Sequence, residues 1–300
     1  MTQTFRDPER QEALERQGFA VVPLFDEAEA AALLGQLEQL EREAPEAPMG
    51  RGEALRKSFF HPDLDYRNRV DALGREALAG PLAATLEGFR IVASGQFTKL
   101  PNAKEMGIHR DWTMMRDPAL AALNIWCPLV PVDRHNGTLA LLPGSHKLPN
   151  VETPGVRPFY NDYPDELKKR SVSFSLRPGE AVIFDNRLLH WSTANRTTEP
   201  RPVLRAVTVP EGERIVFYRL DEESGGSRFE LLDIEEDGVL AQTPRQTEEG
   251  QLHGKRSLGF VANDNRSLSL RECEALLGPP PRAAGPVAAF VRRFAALVSG

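Results

Sequence analysis

Three hundred residues, 41% hydrophobic and 27% charged, describe a globular chain with ample material for a core, within reach of one large β-rich domain with added helices. A net charge of −6 offers no basic face to a nucleic acid or an anionic membrane, so neither is expected as a partner. There is no run of about 18 apolar residues to span a membrane, and the charged start "MTQTFRDPERQEALERQGF" lacks the apolar stretch of a secretory signal.

After that charged lead, "GFAVVPLF" reads as a strand. Asp26 and Glu29 then have the spacing of a capping box, and apolar positions 30, 33, 34, 37 and 40 continue it as an amphipathic helix. The Pro/Gly-rich stretch "EAPEAPMGRGE" ends that helix. A second helix over "DYRNRVDALGREALAGPLAATL" is expected to break or kink at Gly80-Pro81. From about residue 90, short β-branched and aromatic runs alternate with turn residues: "FRIVASGQFTKL", "LNIWCPLVPV", "TLALLPGS", "VLRAVTVP" and "RIVFYRL". In "SVSFSL", Val172, Phe174 and Leu176 alternate with serines as in a half-buried strand, "RPGE" is a turn, and "AVIFD" is a fully buried strand.

Strands at this spacing, preceded by helices, predict a mainly β fold with helices packed outside a sandwich or barrel. The expected layout is a single domain: residues 1–89 form an N-terminal strand and helices, 90–220 the β core, and 221–300 a variable C-terminal extension. The extension reads as polar loops with one or two short strands. It ends in a stiff "GPPPRAAGP" linker and a helix presenting Phe290, Phe294, Leu297 and Val298 on one face. That face is expected to dock on its own domain or on a second copy, giving a monomer or a homodimer. No internal repeat is present. Two cysteines cannot form a disulfide framework; Cys127 and Cys273 read as buried thiols, and the chain reads as cytoplasmic.

The chemistry concentrates in two segments. In "EMGIHRDWTMMRD", His109 and Asp111 lie two residues apart, so on extended backbone both side chains reach the same side and can share one ion. Alone, the pair has a second reading as a surface histidine near a solvated aspartate. A third ligand is offered by His190, which closes a buried strand in "AVIFDNRLLHWSTANRTTEPR" next to a polar turn. Two histidines and one carboxylate leave half of an octahedron open and suit non-haem Fe(II), whereas zinc more often takes a closed or histidine-rich set.

The order His109-x-Asp111, then "NGTLALLPGSHK", then "RPGEAVIFDNRLLHWSTANRTTEPR" resembles the phytanoyl-CoA dioxygenase family, from about Gly18 to about residue 210. The resemblance implies a double-stranded β-helix (jelly-roll, cupin-like) core, with Fe(II) on His109, Asp111 and His190. It also implies 2-oxoglutarate as cosubstrate and O2 as oxidant. The implied reaction is hydroxylation of a small metabolite or natural-product intermediate, releasing succinate and CO2. Arg201, about eleven residues past His190 and following Asn195 and Thr197, is implied to salt-bridge the distal carboxylate of 2-oxoglutarate, with Ser192 on the same carboxylate. A dicarboxylate in an apolar barrel needs such a bidentate guanidinium to offset desolvation. Arg205, on the same strand face, is the rival. Halogenating relatives place a small residue where Asp111 stands, so oxygenation is implied, with desaturation or ring closure left open.

Other residues are assigned from their neighbours. If His190 points toward the metal, Trp191 points away; Trp126 is expected against the cosubstrate and Trp112 against the substrate. In "SGQFTKL", Thr98 is expected near the cosubstrate and Gln96 near the substrate, with Lys99 on the other strand face. Arg157, Tyr160 and Tyr163 could form a lid over the substrate pocket, an exposed loop being the favoured reading. His146 reads as a turn buttress, and His61, His135 and His253 receive no role. Two other classes compete with an oxygenase acting on a small molecule. A non-catalytic jelly-roll binding protein would show the fold without the triad. A zinc-dependent hydrolase would need a general base, for which only Glu105 offers itself, and would have no use for Arg201.

Overall fold

Regular structure begins one element earlier than expected, at helix α1 (Pro8–Gln17). The Asp7 side chain accepts from the Arg10 amide, Pro8 stands in the first turn, and Gly18 closes the helix at a φ of +88°. Those signals were present in the charged lead, but the helix buries little besides Leu14, so it carries no apolar stripe to betray it. The computed structural model describes residues 3–46, 55–234 and 255–279.

Strand β1 (Phe19–Pro23) leads into α2 (Glu27–Glu43), whose capping box is reciprocal: the Glu29 amide donates to Asp26 at 2.8 Å, and the Asp26 amide to Glu29 at 2.9 Å. Helix α3 (Leu64–Thr85) runs through Gly80 and Pro81 without ending, so of the expected break or kink the break does not occur. Pro81 removes one donor close to the helix end. Leu78 and Leu82 on either side of it are buried in the core, and the Thr85 hydroxyl returns to the Pro81 carbonyl at 2.8 Å.

Two antiparallel sheets make the jelly roll. The larger has the order β1-β8-β5-β10-β3-β2, from β2 (Leu55–Lys57), β3 (Phe89–Lys99), β5 (Leu123–Pro128), β8 (Glu180–Asp185) and β10 (Arg201–Pro210). The smaller has the order β4-β9-β6-β7, from β4 (Met106–His109), β6 (Leu139–Leu141), β7 (Val172–Ser173) and β9 (His190–Ser192). Alternation decides what each strand offers to either side. Leu123, Ile125, Cys127, Ile183, Leu204 and Ala206 pack under α2 and α3. Their neighbours Trp126, Val182, Phe184 and Val203 meet Leu139 and Leu141 between the sheets. The outer face of the smaller sheet is covered by residues 148–167, including part of α4 (Pro164–Lys169), and by α5 (Leu270–Leu277), where Cys273 is buried. Both cysteines are buried and unpaired.

One sequence expectation needs adjusting. In "SVSFSL" only Val172 and Ser173 pair as strand; Phe174 and Leu176 are buried between the sheets as the alternation required, but Leu176 makes only an isolated bridge to Val132. The strand read in "RIVFYRL" is β11 (Ile215–Leu220), and the extension after it carries two short strands, β12 (Arg228–Ile234) and β13 (Ser257–Ala262); what the sequence did not show is that the three pair as a third antiparallel sheet. The proposed terminal helix over 286–298, the preceding linker and His253 lie outside the described residues. Among the described residues, no helix is long and apolar enough to cross a membrane.

Candidate metal centre

Strands β4 and β9 are neighbours in the smaller sheet, and their register sets His109 directly opposite His190. Two residues eighty-one positions apart in sequence thus become a cross-strand pair, with ring centroids 4.1 Å apart. A bulge between Met106 and His109 re-aims the end of β4, and Asp111 follows on the same side. Its Oδ2 lies 3.8 Å from Nε2 of His190, and one ligand atom from each of the three residues falls within 4.8 Å of the others. The Nδ1 atoms contact the carbonyls of Gly107 (2.8 Å) and Leu188 (2.9 Å). A carbonyl only accepts, so each Nδ1 carries the proton and each Nε2 keeps a lone pair for a metal. Arg110 turns the opposite way, donating to the carbonyls of Ser145, Leu148, Pro149 and Asn150, and so locks the alternation of the His-x-Asp segment.

Asp111 is clamped. Its Oδ2 accepts from Arg205 Nη2 at 2.7 Å and from Asn124 Nδ2 at 2.8 Å, and the same Arg205 nitrogen donates to Asn124 Oδ1 at 2.7 Å. Burial works against the Asp111 charge, but Arg205 and then the two histidines outweigh it and hold the carboxyl well below the usual range. Burial, then the neighbouring His190, pushes His109 down to about 3; burial likewise lowers His190, and takes His146 down to about 4.

These imidazoles, buried at His190 and half-buried at His109 and His146, resist a proton that the unfolded chain accepts near its ordinary value of about 6.5. The stability they contribute is therefore fully present above that value and is lost as pH falls from about 6.5 toward 3, and the depressed Asp111 acts in the same direction. Thermal unfolding of the metal-free protein is expected to shift to lower temperature as pH is taken from about 7 to about 4. A flat profile over that window would contradict histidines held neutral.

A second group of polar side chains lies further along the same cavity. Arg201 is 2% exposed, its guanidinium rests 5.2 Å over the Trp126 ring, and its Nε and Nη1 have no hydrogen-bond partner. Burial lowers it to about 9. Lys99 pairs with Arg201 across β3 and β10, is 1% exposed, and donates from Nζ to Ser192 Oγ at 2.7 Å. Burial, then Arg201, lowers it to about 8. Among the described residues neither buried cation has a carboxylate hydrogen-bonded to it, an arrangement whose charge would suit a dianion. Gly137 makes the room: at its φ of +96° an added Cβ would approach Lys99 Cδ to 2.6 Å. Gly137→Ala is expected to cost about 1–3 kcal/mol through the backbone alone. It should also weaken anion binding by displacing Lys99, measurable as a lower unfolding midpoint together with a raised Kd for 2-oxoglutarate.

The remaining expectations divide. Trp112, Trp126, Ser192, Arg201 and Arg205 line one cavity of about 360 Å³ with the triad. Trp191 packs outward, away from the triad, among residues covering the smaller sheet. Thr98 and Gln96 were placed on the wrong side: their strand partners are Pro202 and Leu204, Leu204 faces the helices, and neither side chain lines the cavity. On the opposite face of β3, Phe97 lines the cavity and Lys99, the third polar contact offered by this strand, reaches the cavity residue Ser192. Arg157 and Tyr160 form no lid. Arg157 is exposed and paired with Asp162, while Tyr160 is buried behind the smaller sheet, with its hydroxyl on the Arg110 amide. Asn195 and Thr197 brace the turn before β10, Asn195 donating to the carbonyls of Leu100 and Glu199. His146 buttresses the end of α1, filling the space a Cβ at Gly18 would need. Asn124 and the Arg205 clamp were not read from the sequence, because no local spacing links them to Asp111.

These features are those of a two-histidine, one-carboxylate centre on a jelly roll, with the buried guanidinium of Arg201 in the same cavity. The model of the phytanoyl-CoA dioxygenase (PhyH) family matches residues 14–203, and the chain belongs to that family. The dioxygenase af480 of Aspergillus fumigatus is 30% identical over 221 residues, covering 68% of this chain and 67% of that protein. The ectoine dioxygenase of Stutzerimonas stutzeri is 29% identical over 222 residues, covering 63% and 72%. Among solved structures, the non-haem α-ketoglutarate-dependent carbocyclase SnoK from nogalamycin biosynthesis superposes with a TM-score of 0.54 at 23% identity, covering 70% of this chain and 86% of that one, a likeness of fold.

Proposed function

We propose that the protein is an Fe(II)- and 2-oxoglutarate-dependent dioxygenase that hydroxylates a C–H bond of a small organic molecule. One oxygen atom of O2 enters the substrate as hydroxyl and the other enters succinate, as 2-oxoglutarate loses CO2. The observation that carries this reading is the convergence of His109, Asp111 and His190 in the cavity that also holds the unpartnered guanidinium of Arg201. The donor set fits iron: two neutral imidazole nitrogens and one carboxylate leave positions open for other ligands. Bound iron with 2-oxoglutarate would supply the oxidising power; the chain supplies position, charge and a largely apolar enclosure.

His109 and His190 would present Nε2 to the metal because their Nδ1 protons are held by backbone carbonyls. Asp111, kept ionised by Arg205, would be the anionic ligand. Arg201 would take the distal carboxylate of 2-oxoglutarate, with Lys99 and Ser192 beside it and Trp126 under the guanidinium. Arg205 is occupied by Asp111, which favours Arg201 over its rival for the cosubstrate. We read the described residues as one catalytic domain, and the buried, unpaired thiols of Cys127 and Cys273 favour a cytoplasmic setting.

Anaerobic addition of Fe(II) and then 2-oxoglutarate is expected to produce a weak visible charge-transfer absorption. Admission of O2 should then release succinate. A colourless mixture would exclude chelation of the cosubstrate at a metal and with it this reading.

A further inference from the structure

The cavity combines a polar cluster, the triad with Asn124, Arg205 and Arg201, with an apolar lining that includes Phe59, Phe60, Trp112, Met114, Phe217 and Ile234. Phe217 and Ile234 belong to β11 and β12, beyond the residues matched by the family model. That third sheet is attached to the ligand-bearing segment: the Val216 amide donates to the Met114 carbonyl at 2.8 Å, Met115 bridges Ile215, and Trp112 meets Phe217 edge-to-face at 5.6 Å. On the other side, Phe59 packs edge-to-face on Phe97 at 5.2 Å, in space that exists because residue 95 is glycine; a Cβ there would lie 2.5 Å from the Phe59 ring.

The charges are unbalanced between the two signs. Among the described residues lining the cavity, Asp111 is the sole acidic group, and Arg205 and Asn124 already hold it. A cationic substrate centre would therefore find no free carboxylate, and Lys57 already lies over the rings of Phe60 and Phe97 that could otherwise receive it. Of the cations, Arg110 is spent on four carbonyls, Arg205 on Asp111, and Lys57 lies over the rings of Phe60 and Phe97 at 5.2 and 5.9 Å. A volume of about 360 Å³ is near the lower end of the range for small-molecule sites, roughly 300–1,000 Å³. Since the cosubstrate shares it, what remains suits a compact skeleton.

We propose that the substrate is a neutral, apolar, ring-containing small molecule, selected by the aromatic wall that the third sheet completes. This rests on the oxygenase reading, because it takes the polar cluster to be filled by the metal and the cosubstrate. Flat rings would stack or sit edge-on against Trp112, Phe59 and Phe217.

The test uses the metal-free full-length chain and the neutral fluorescent probe N-phenyl-1-naphthylamine. Its emission is expected to rise on binding, and to be reversed by androstenedione or anthraquinone but not by the zwitterion ectoine. Phe60→Glu, at a position 41% exposed and so without cost to the fold, and Met114→Glu should each weaken probe binding at least about tenfold. The anaerobic Fe(II)/2-oxoglutarate absorption should be the same in both variants. Displacement by ectoine, failure of both neutral polycycles to displace, or unchanged probe binding in both variants would overturn the assignment. Loss of the absorption in the wild type would instead sink the oxygenase reading, while the probe results would still decide the character of the cavity.

Discussion

Arg201→Met is expected to remove 2-oxoglutarate binding and, at the same time, to make the metal-free protein more stable. The guanidinium is almost fully buried, and neither Nε nor Nη1 has a partner. Such a group costs desolvation free energy in the empty protein, and the Trp126 ring offsets only part of it. A methionine keeps much of the volume and removes that cost, so unfolding should become harder by about 1–3 kcal/mol. With the dicarboxylate bound the balance reverses, because truncating one member of a buried hydrogen-bonded charge pair costs about 2–5 kcal/mol. That corresponds to roughly 30- to 4,000-fold in affinity. Calorimetric titration with 2-oxoglutarate and a thermal melt of the same preparation would report both signs. Unaltered affinity, or a destabilised apoprotein, would contradict the assignment of Arg201 as the anion anchor.

Arg205→Met should behave in the opposite way. It leaves the Asp111 carboxylate with Asn124 as its only described donor, so the apoprotein is expected to lose about 1–3 kcal/mol. Asp111 would also lose its orientation and part of the field that keeps it ionised, which should weaken Fe(II) binding roughly 10- to 100-fold. At saturating iron, the affinity for 2-oxoglutarate should change far less than in Arg201→Met. The two arginines stand four residues apart on one strand, yet Arg205 is bound to Asp111 while Arg201 is left open for the proposed cosubstrate. A metal titration that leaves Arg205→Met equal to wild type, or a cosubstrate defect as severe as that of Arg201→Met, would show that the roles had been divided wrongly.

How far the sequence could be read follows from the range over which each signal acts. The capping box of Asp26 and Glu29 is contained within a single turn, and it is formed. Alternation in "SVSFSL" depends only on the two-residue period of extended backbone, and it placed Phe174 and Leu176 inside, although the ladder beside Phe174 is shorter than the pattern implied; "AVIFD", read as fully buried, is buried throughout. The same period correctly put Gln96 and Thr98 on one face of β3 and Lys99 on the other. It could not say which face looks into the barrel, since that depends on the pairing of Lys99 with Arg201. A lid from Arg157 and Tyr160 was plausible by composition and failed because residues 148–167 pack on the outer face of the smaller sheet.

By itself, then, the chain determined the capped helix α2, the alternation of its strands and the His109-x-Asp111 pair, because these are properties of neighbouring residues, while the order of its motifs carried the family resemblance and with it His190. Only the tertiary structure decided that β4 meets β9 with His109 facing His190, that Arg205 clamps Asp111 while Arg201 is left without a partner, and that a third sheet finishes an aromatic wall. Those outcomes depend on strand register and burial, where a shift of one residue would send every side chain to the opposite face, and nothing local to the sequence encodes that choice.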